Sequence, residues 1–273
     1  MQADKCGTEL GTTGDTVSVP LPFSSLMQEI FAYNPIPTSY REAVDLMRVR
    51  QASVRTIDEP GEWEIALLHG WHSLYAPMMR LEENLRERFP NARLWRVSYD
   101  SHWKVFPRSA REASARLRAA GAKPQRTILV GYSMGGVVAR SMVAQGFDAH
   151  AVVCLCSPHL GPALHIPFGD VGSLSLAYSA PYLRRLNSDP HDIARREDYF
   201  FQSITFRDST GESRHDRIVS YRSASGRGLE GIVHRANTHI VFEGVAPGPL
   251  PHLQGMTPEK VPQALDFIEE RMR

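Results

Sequence analysis

Cysteine is scarce, with three residues in a chain of 273. An odd, small number leaves no disulfide framework to build on. Cys154 and Cys156 alternate in the run AVVCLCSP, a spacing that puts both thiols on one face of a strand and holds them awkwardly for a bridge. Buried thiols and a reducing compartment are the expectation. No run approaches the roughly 20 apolar residues that a membrane span needs, so no stable membrane insertion is expected. The first residues, MQADKCGTELGTTGD, are polar and carry no basic start followed by an apolar core. No secretory signal is visible there, and a cytoplasmic location is expected. An excess of charge is missing too. Lys and Arg number 31 against 30 Asp and Glu, for a net charge of +1. The arginines are scattered through amphipathic stretches, so nothing points to a nucleic-acid partner. Internal repeats are absent, and no residues have clear metal-ligand spacing. His165 and Asp170 form a pair, but in a Gly/Pro-rich stretch two residues fall short of a site.

What is present is apolar content of 42%, enough to bury a substantial core. Strand and helix patterns alternate from residue 62 onward. WEIALLHG, ARLWRVSYD, RTILVGY, AHAVVCLCSP, YFFQSITFRD and NTHIVFEGV read as strands. APMMRLEENLRERF, RSAREASARLRAAG, SMGGVVARSMVAQG and TPEKVPQALDFIEERMR read as helices, the last with Thr257 as expected N-cap before Pro258. The near-continuous apolar strands suit a parallel sheet covered on both faces. The expected class is therefore α/β, a mostly parallel central sheet with helices on both faces. Residues 1–60 are an amino-terminal extension of uncertain structure. Residues 61–273 form one domain, interrupted by a long Gly/Pro/Ser-rich insertion at about 160–200. Composition leaves the oligomeric state open.

Between the third of these strands and its helix stands GYSMGG, 131–136. Gly-x-Ser-x-Gly is easily met by chance, in roughly one chain in ten of this length. Its setting is more demanding. A sharp strand-to-helix turn forces the central residue into a strained backbone, and small residues two before and two after leave room for it. Ser133 would then stand clear at the carboxyl edge of the sheet, over a helix amino terminus. The N–H of Met134 is well placed to stabilise a developing oxyanion. Acyl transfer needs a second donor, and a tight turn after His69–Gly70 in LLHGW would offer the N–H of Trp71. His69 itself reads as a turn-stabilising hydrogen-bond partner rather than a base. Trp71 and His72 could line a pocket. A serine hydroxyl also needs an imidazole within reach, and that imidazole needs a carboxylate.

The pair HGW and GYSMGG resembles the α/β-hydrolase family, in its lipase-like and esterase-like branch. CSPHLGP, 156–162, resembles the S/T-P-H-x-G segment of many lipases, and YLRRLNSD, 182–189, their leucine-asparagine stretch. The resemblance runs from about residue 62 to the carboxyl terminus and implies the chain order Ser, acid, His. Asp216, followed by IVS after one residue, matches the family's acid segment; its rival is Asp208, which also reads as a turn residue. His252 in HLQGMTPEKV matches the family's terminal histidine. Its rivals are His215, which would break the order, and His234 and His239, which read as structural. His159 is implied as structural or substrate-lining.

The insertion lies where the family commonly carries a lid. Leu164, Ile166 and Phe168, with Leu174, Leu176, Tyr178 and Leu183, could wall an acyl pocket or bury a short helix against the core. The resemblance thus implies a serine hydrolase of carboxylic esters, small-molecule or lipid, with no cofactor. An acyltransferase on the same fold, or a non-catalytic ligand-binding member, is the alternative.

Overall fold

A computed structural model describes residues 53–56, 61–71, 78–162, 170–177, 180–207, 216, 218–231, 237–243, 252 and 261–273. Seven strands form one sheet: β1 (Ser53–Thr56), β2 (Glu64–Leu68), β3 (Arg93–Ser98), β4 (Thr127–Tyr132), β5 (Ala151–Leu155), β6 (Tyr199–Arg207) and β7 (Asn237–Glu243). Their spatial order is β1-β3-β2-β4-β5-β6-β7. Among the described strands only β1 runs antiparallel, paired to β3 through Ser53↔Ser98 to Thr56↔Trp95. The others are parallel, with Leu68 beside Gly131 and Tyr132 beside Leu155. Parallel strands aligned this way end on the same edge, where connecting loops gather.

Side chains alternate along β2 to β6 and split the core in two. Ala66, Leu68, Leu129, Val152, Cys154 and Phe201 pack on one face under α2 (Phe106–Ala119) and α3 (Met134–Ala144). Ile65, Leu67, Ile128, Val130, Val153 and Phe200 pack on the other with α1 (Met79–Arg88) and α8 (Pro262–Met272). The chain therefore has the mostly parallel, two-sided sheet expected from the unbroken apolar strands. β1 is a strand the sequence did not reveal. Four residues, SVRT, give too short a period to read.

Among the described residues of the expected insertion are three short helices: α4 (Val171–Ser175), α5 (Pro181–Asn187) and α6 (Pro190–Ala194). Leu176, Leu183 and Leu186 belong to the same cluster as Phe106 and Val137. For Leu176 and Leu183, burial against the core is what the fold shows. Leu174 stays exposed. A last short helix, α7 (Tyr221–Ala224), precedes β7. The terminal helix starts at Pro262 with Val261 at its N-cap, which corrects the expected start at Thr257. A helix begun at Pro258 would meet Pro262 in its second turn, where proline lacks the N–H and clashes with the preceding turn.

The cysteine expectation also needs correcting. Strand β5 ends at Leu155, and Cys156 has φ 52°. That turn sends its side chain to the opposite core cluster from Cys154. The two thiols share no face. Burial pushes Cys154 up to about 12 and Cys156 well above the usual thiol range, so neither is a ready nucleophile.

Candidate active site

Strand β4 is buried at every position and stops at Tyr132. Ser133 follows with φ 53° and ψ −122°, and α3 begins at Met134. A side-chain-bearing residue at such φ is strained by roughly 1–2 kcal/mol. Two backbone bonds hold it there. The Ser133 N–H donates to the Leu155 carbonyl at 2.8 Å, and the Gly136 N–H donates to the Ser133 carbonyl at 3.1 Å. The flanking glycines have a steric cause. A Cβ on Gly131 would lie 2.3 Å from the Gly135 carbonyl carbon, and one on Gly135 would lie 2.2 Å from the Leu68 carbonyl oxygen.

The Ser133 hydroxyl is 2.9 Å from His252 Nε2. His252 Nδ1 is 2.6 Å from Asp216 Oδ2. All three side chains are buried. The other carboxylate oxygen of Asp216 accepts from the N–H groups of Ile218 at 2.9 Å and Val219 at 2.6 Å. One oxygen thus ties the acid to its own loop, and the other faces the imidazole. A carboxylate accepts, so the imidazole proton belongs on Nδ1 and Nε2 presents its lone pair to the serine. These residues come from three places in the chain: the end of β4, the segment after β6 and the segment after β7. All leave the same edge of the sheet.

Tyr132 also reaches the imidazole segment. Its hydroxyl donates to the His252 carbonyl at 3.0 Å, and the two rings lie 5.1 Å apart. Sequence reasoning missed this contact, because a tyrosine at the second position of the motif carries no signal of where its hydroxyl goes.

The turn after β2 crosses directly over the serine. A Cβ on Gly70 would come 3.2 Å from the Ser133 Cβ. His69 holds this turn. Its Nδ1 lies 2.8 Å from the Gly70 carbonyl, and its Nε2 accepts from the Tyr99 N–H at 3.2 Å. Its ring stacks on Tyr99 at 4.3 Å, and the Tyr99 hydroxyl donates to the His69 carbonyl. Burial lowers the His69 pKa to about 4, so the ring is neutral at pH 7. Trp71 is next. Its indole N–H donates to Asp170 Oδ1 at 3.1 Å. The remainder of the expected pocket wall, His72, Leu164, Ile166, Phe168 and Tyr178, lies outside the described residues. So do Asp208, His215 and His234, the rivals for acid and base. His239 lies within β7.

Of the two roles expected for His159, structural or substrate-lining, its surroundings match the structural one and not the substrate-lining one. It has no solvent exposure. Its Nδ1 accepts from Arg140 at 3.0 Å, and its ring meets Phe201 edge-on at 4.7 Å. Burial first, then the charges of Arg140 and Arg196, holds its pKa well below the usual imidazole range. Arg140, on α3, draws the ring inward, and the Asn187 side chain donates to the His159 carbonyl at 2.8 Å. The residue is part of the packing under α5 and α6.

Among the described residues, no group of three or more His, Cys, Asp or Glu side chains is arranged to hold a metal ion. No described helix is long and apolar enough to cross a membrane.

The sequence model of the Alpha/beta hydrolase family matches residues 65–257, well over half of the chain. Among solved structures, the chain is similar to the mature form of BlEst2, a lipase of Bacillus licheniformis. Identity is 16% and the TM-score 0.55, with 80% of this chain and 97% of the lipase covered. It is similar to an esterase of the bacterial hormone-sensitive lipase family, at 14% identity and a TM-score of 0.50, over 91% of this chain and 96% of the esterase. It is similar also to the lin2722 product of Listeria innocua, at 14% identity and a TM-score of 0.53, over 77% and 94% of the two chains. At these identities the likeness concerns the fold. None of the curated proteins compared with the chain matches it.

Proposed function

The chain belongs to the alpha/beta hydrolase family, and from that premise we propose that it is a serine hydrolase that cleaves carboxylic esters through an acyl-enzyme. The observation that carries this reading is the buried hydrogen-bonded line from Asp216 through His252 to Ser133, at 2.6 Å and 2.9 Å.

In this mechanism the Ser133 hydroxyl attacks the ester carbonyl carbon while His252 Nε2 takes its proton. Asp216 keeps the imidazole in the productive tautomer and stabilises the imidazolium. The carbonyl oxygen becomes an oxyanion beside the backbone N–H groups of Met134 and Trp71. The first opens α3, where the helix dipole also favours negative charge. Collapse of the intermediate breaks the bond to the alcohol, which leaves with the proton held by His252. Water then repeats the sequence on the acyl-enzyme, with His252 again as base. The acid is released and Ser133 regenerated.

An apolar acyl or alcohol group is supported by the surface beside Trp71. Trp103, Val171, Leu174 and Tyr182 are large apolar side chains left exposed. Val171 and Leu174 ride on α4, which is bound to the loop bearing Trp103 by a 2.8 Å bond from the Gly172 N–H to the His102 carbonyl. In this reading, the segment around α4 covers the site as a lid.

Ser133→Ala should lower hydrolysis of short p-nitrophenyl esters by several orders of magnitude, and Asp216→Asn by roughly 10⁴, at unchanged melting temperature. Full activity in Ser133→Ala protein would refute the assignment.

A further inference from the structure

Trp71 is held by a residue 99 positions away in the chain. Asp170 Oδ1 accepts both the Trp71 indole N–H, at 3.1 Å, and the Ser173 N–H, at 2.8 Å. One carboxylate oxygen thus caps α4 and pins the tryptophan. The helix is itself anchored. Its Gly172 N–H donates to the His102 carbonyl at 2.8 Å, and Ser175 Oγ accepts from the Phe106 N–H at 3.2 Å. Gly172 lies so close to Ser101 that a Cβ would stand 1.8 Å from its carbonyl oxygen. From the other side, His69 and Tyr99 hold the turn that leads into Trp71.

We propose that Asp170 is a positioning residue: it fixes the Trp71 side chain and, through it, the direction of the Trp71 backbone N–H toward the oxyanion. The proposal rests on the ester-hydrolase reading of Ser133. Its physical basis is that an oxyanion donor works only when preorganised. A misplacement near 1 Å can cost on the order of a hundredfold in rate. Trp71 is the last residue of the β2 turn that is fixed by His69. Its ring packs against the core cluster and its indole N–H is held by Asp170. The indole–Asp170 bond makes the oxyanion donor and α4 one unit, so whatever orders α4 also orders the donor.

Helix capping and tryptophan positioning are separable. Asp170→Ser keeps an oxygen that can cap α4 but is too short to reach the indole. Asp170→Asn keeps an acceptor at the right length. Trp71→Phe removes the indole N–H and leaves the backbone N–H in place. The account expects Asp170→Ser to lower kcat by about 10- to 100-fold with KM changed less than about twofold. Affinity for an alkylboronic acid, which mimics the tetrahedral intermediate, should fall by the same factor. Asp170→Asn should stay within a few-fold of wild type. Trp71→Phe should reproduce the loss, and the double variant Trp71→Phe/Asp170→Ser should lose no more than either single one. Wild-type kcat and boronate affinity in Asp170→Ser, or losses that multiply in the double variant, would overturn the proposal. If Asp170→Ser does not fold, Trp71→Phe cuts the same bond from the other side. Ser133→Ala is assayed alongside. If it is inactive while the Asp170 variants are normal, only the positioning role fails. If it is active, the hydrolase reading fails.

Discussion

Ser133 and Cys156 are the two non-glycine residues at positive φ among the described residues. They follow neighbouring strands whose last residues, Tyr132 and Leu155, pair in register. Strain of this kind survives only where the surroundings over-determine it, and here it marks the strand ends nearest the proposed nucleophile. Ser133 was legible in the sequence because its strain demands small neighbours at fixed offsets. Cys156 was not, since nothing in CLCSP announces a positive φ. Asp216 and His252 were legible through their segments' resemblance to a family and their order in the chain. Tyr132, Tyr99 and Asp170 were not, because a hydroxyl or carboxylate carries no record of its distant partner. His69 makes a prediction of its own. Its folded pKa is about 4, below the 6.5 of a free imidazole. Between those values the unfolded chain binds the extra proton. The stabilisation is therefore complete above pH 6.5 and is lost as pH falls toward 4, by about 3 kcal/mol. Thermal melts should fall across that window, and His69→Gln should flatten the decline. An equally steep decline in the variant would contradict this account.

At the scale of elements, the decisive contact is α3 against the turn after β2. Gly135 sits where a Cβ would approach the Leu68 carbonyl oxygen to 2.2 Å and the His69 carbonyl oxygen to 2.7 Å. Backbone atoms cannot rotate away as a side-chain tip can. Gly135→Ala should therefore destabilise the protein by about 3 kcal/mol and force the β2 turn off the serine. Denaturant titration and ester assays should register both effects together. A variant with wild-type stability would contradict the packing argument. Apolar runs and long amphipathic stretches were readable. The six strands from β2 to β7, and α1, α2 and α3, fall within a few residues of the expected segments. The four-residue β1 and the helices α4, α5 and α6, of five to seven residues, were not. Helices of one or two turns are too short to display a period, and for α5 burial of Leu183 and Leu186 is the visible anchor.

At the scale of the whole molecule, the parallel sheet does the assembling. Residues 69–71, 133, 216 and 252 all follow the carboxyl ends of strands in one sheet, which brings together groups spread over most of the chain. A second long-range device lies under the sheet's α3 face. Arg140 and Arg196 both pair with Asp192, at 2.6 Å and 2.8 Å, with none of the three exposed. The Tyr199 hydroxyl adds a bond to Asp192 at 3.2 Å. This cluster ties α3 to α6 and to the start of β6. Asp192→Ala would leave two buried guanidinium groups facing each other, a change that costs about 3–5 kcal/mol. The midpoint of urea unfolding should drop accordingly. A loss below about 1 kcal/mol would show the cluster to be dispensable. None of this was visible in YLRRLNSDPHDIARRED, because a charged side chain carries no record of its distant partner. The central claim is that Ser133 is an activated nucleophile. Its most direct test is to treat the folded protein with an alkyl fluorophosphonate and measure its mass. The account predicts one phosphonyl adduct per chain, mapped to Ser133 and absent in Ser133→Ala. Folded protein that gains no adduct at Ser133 would contradict it.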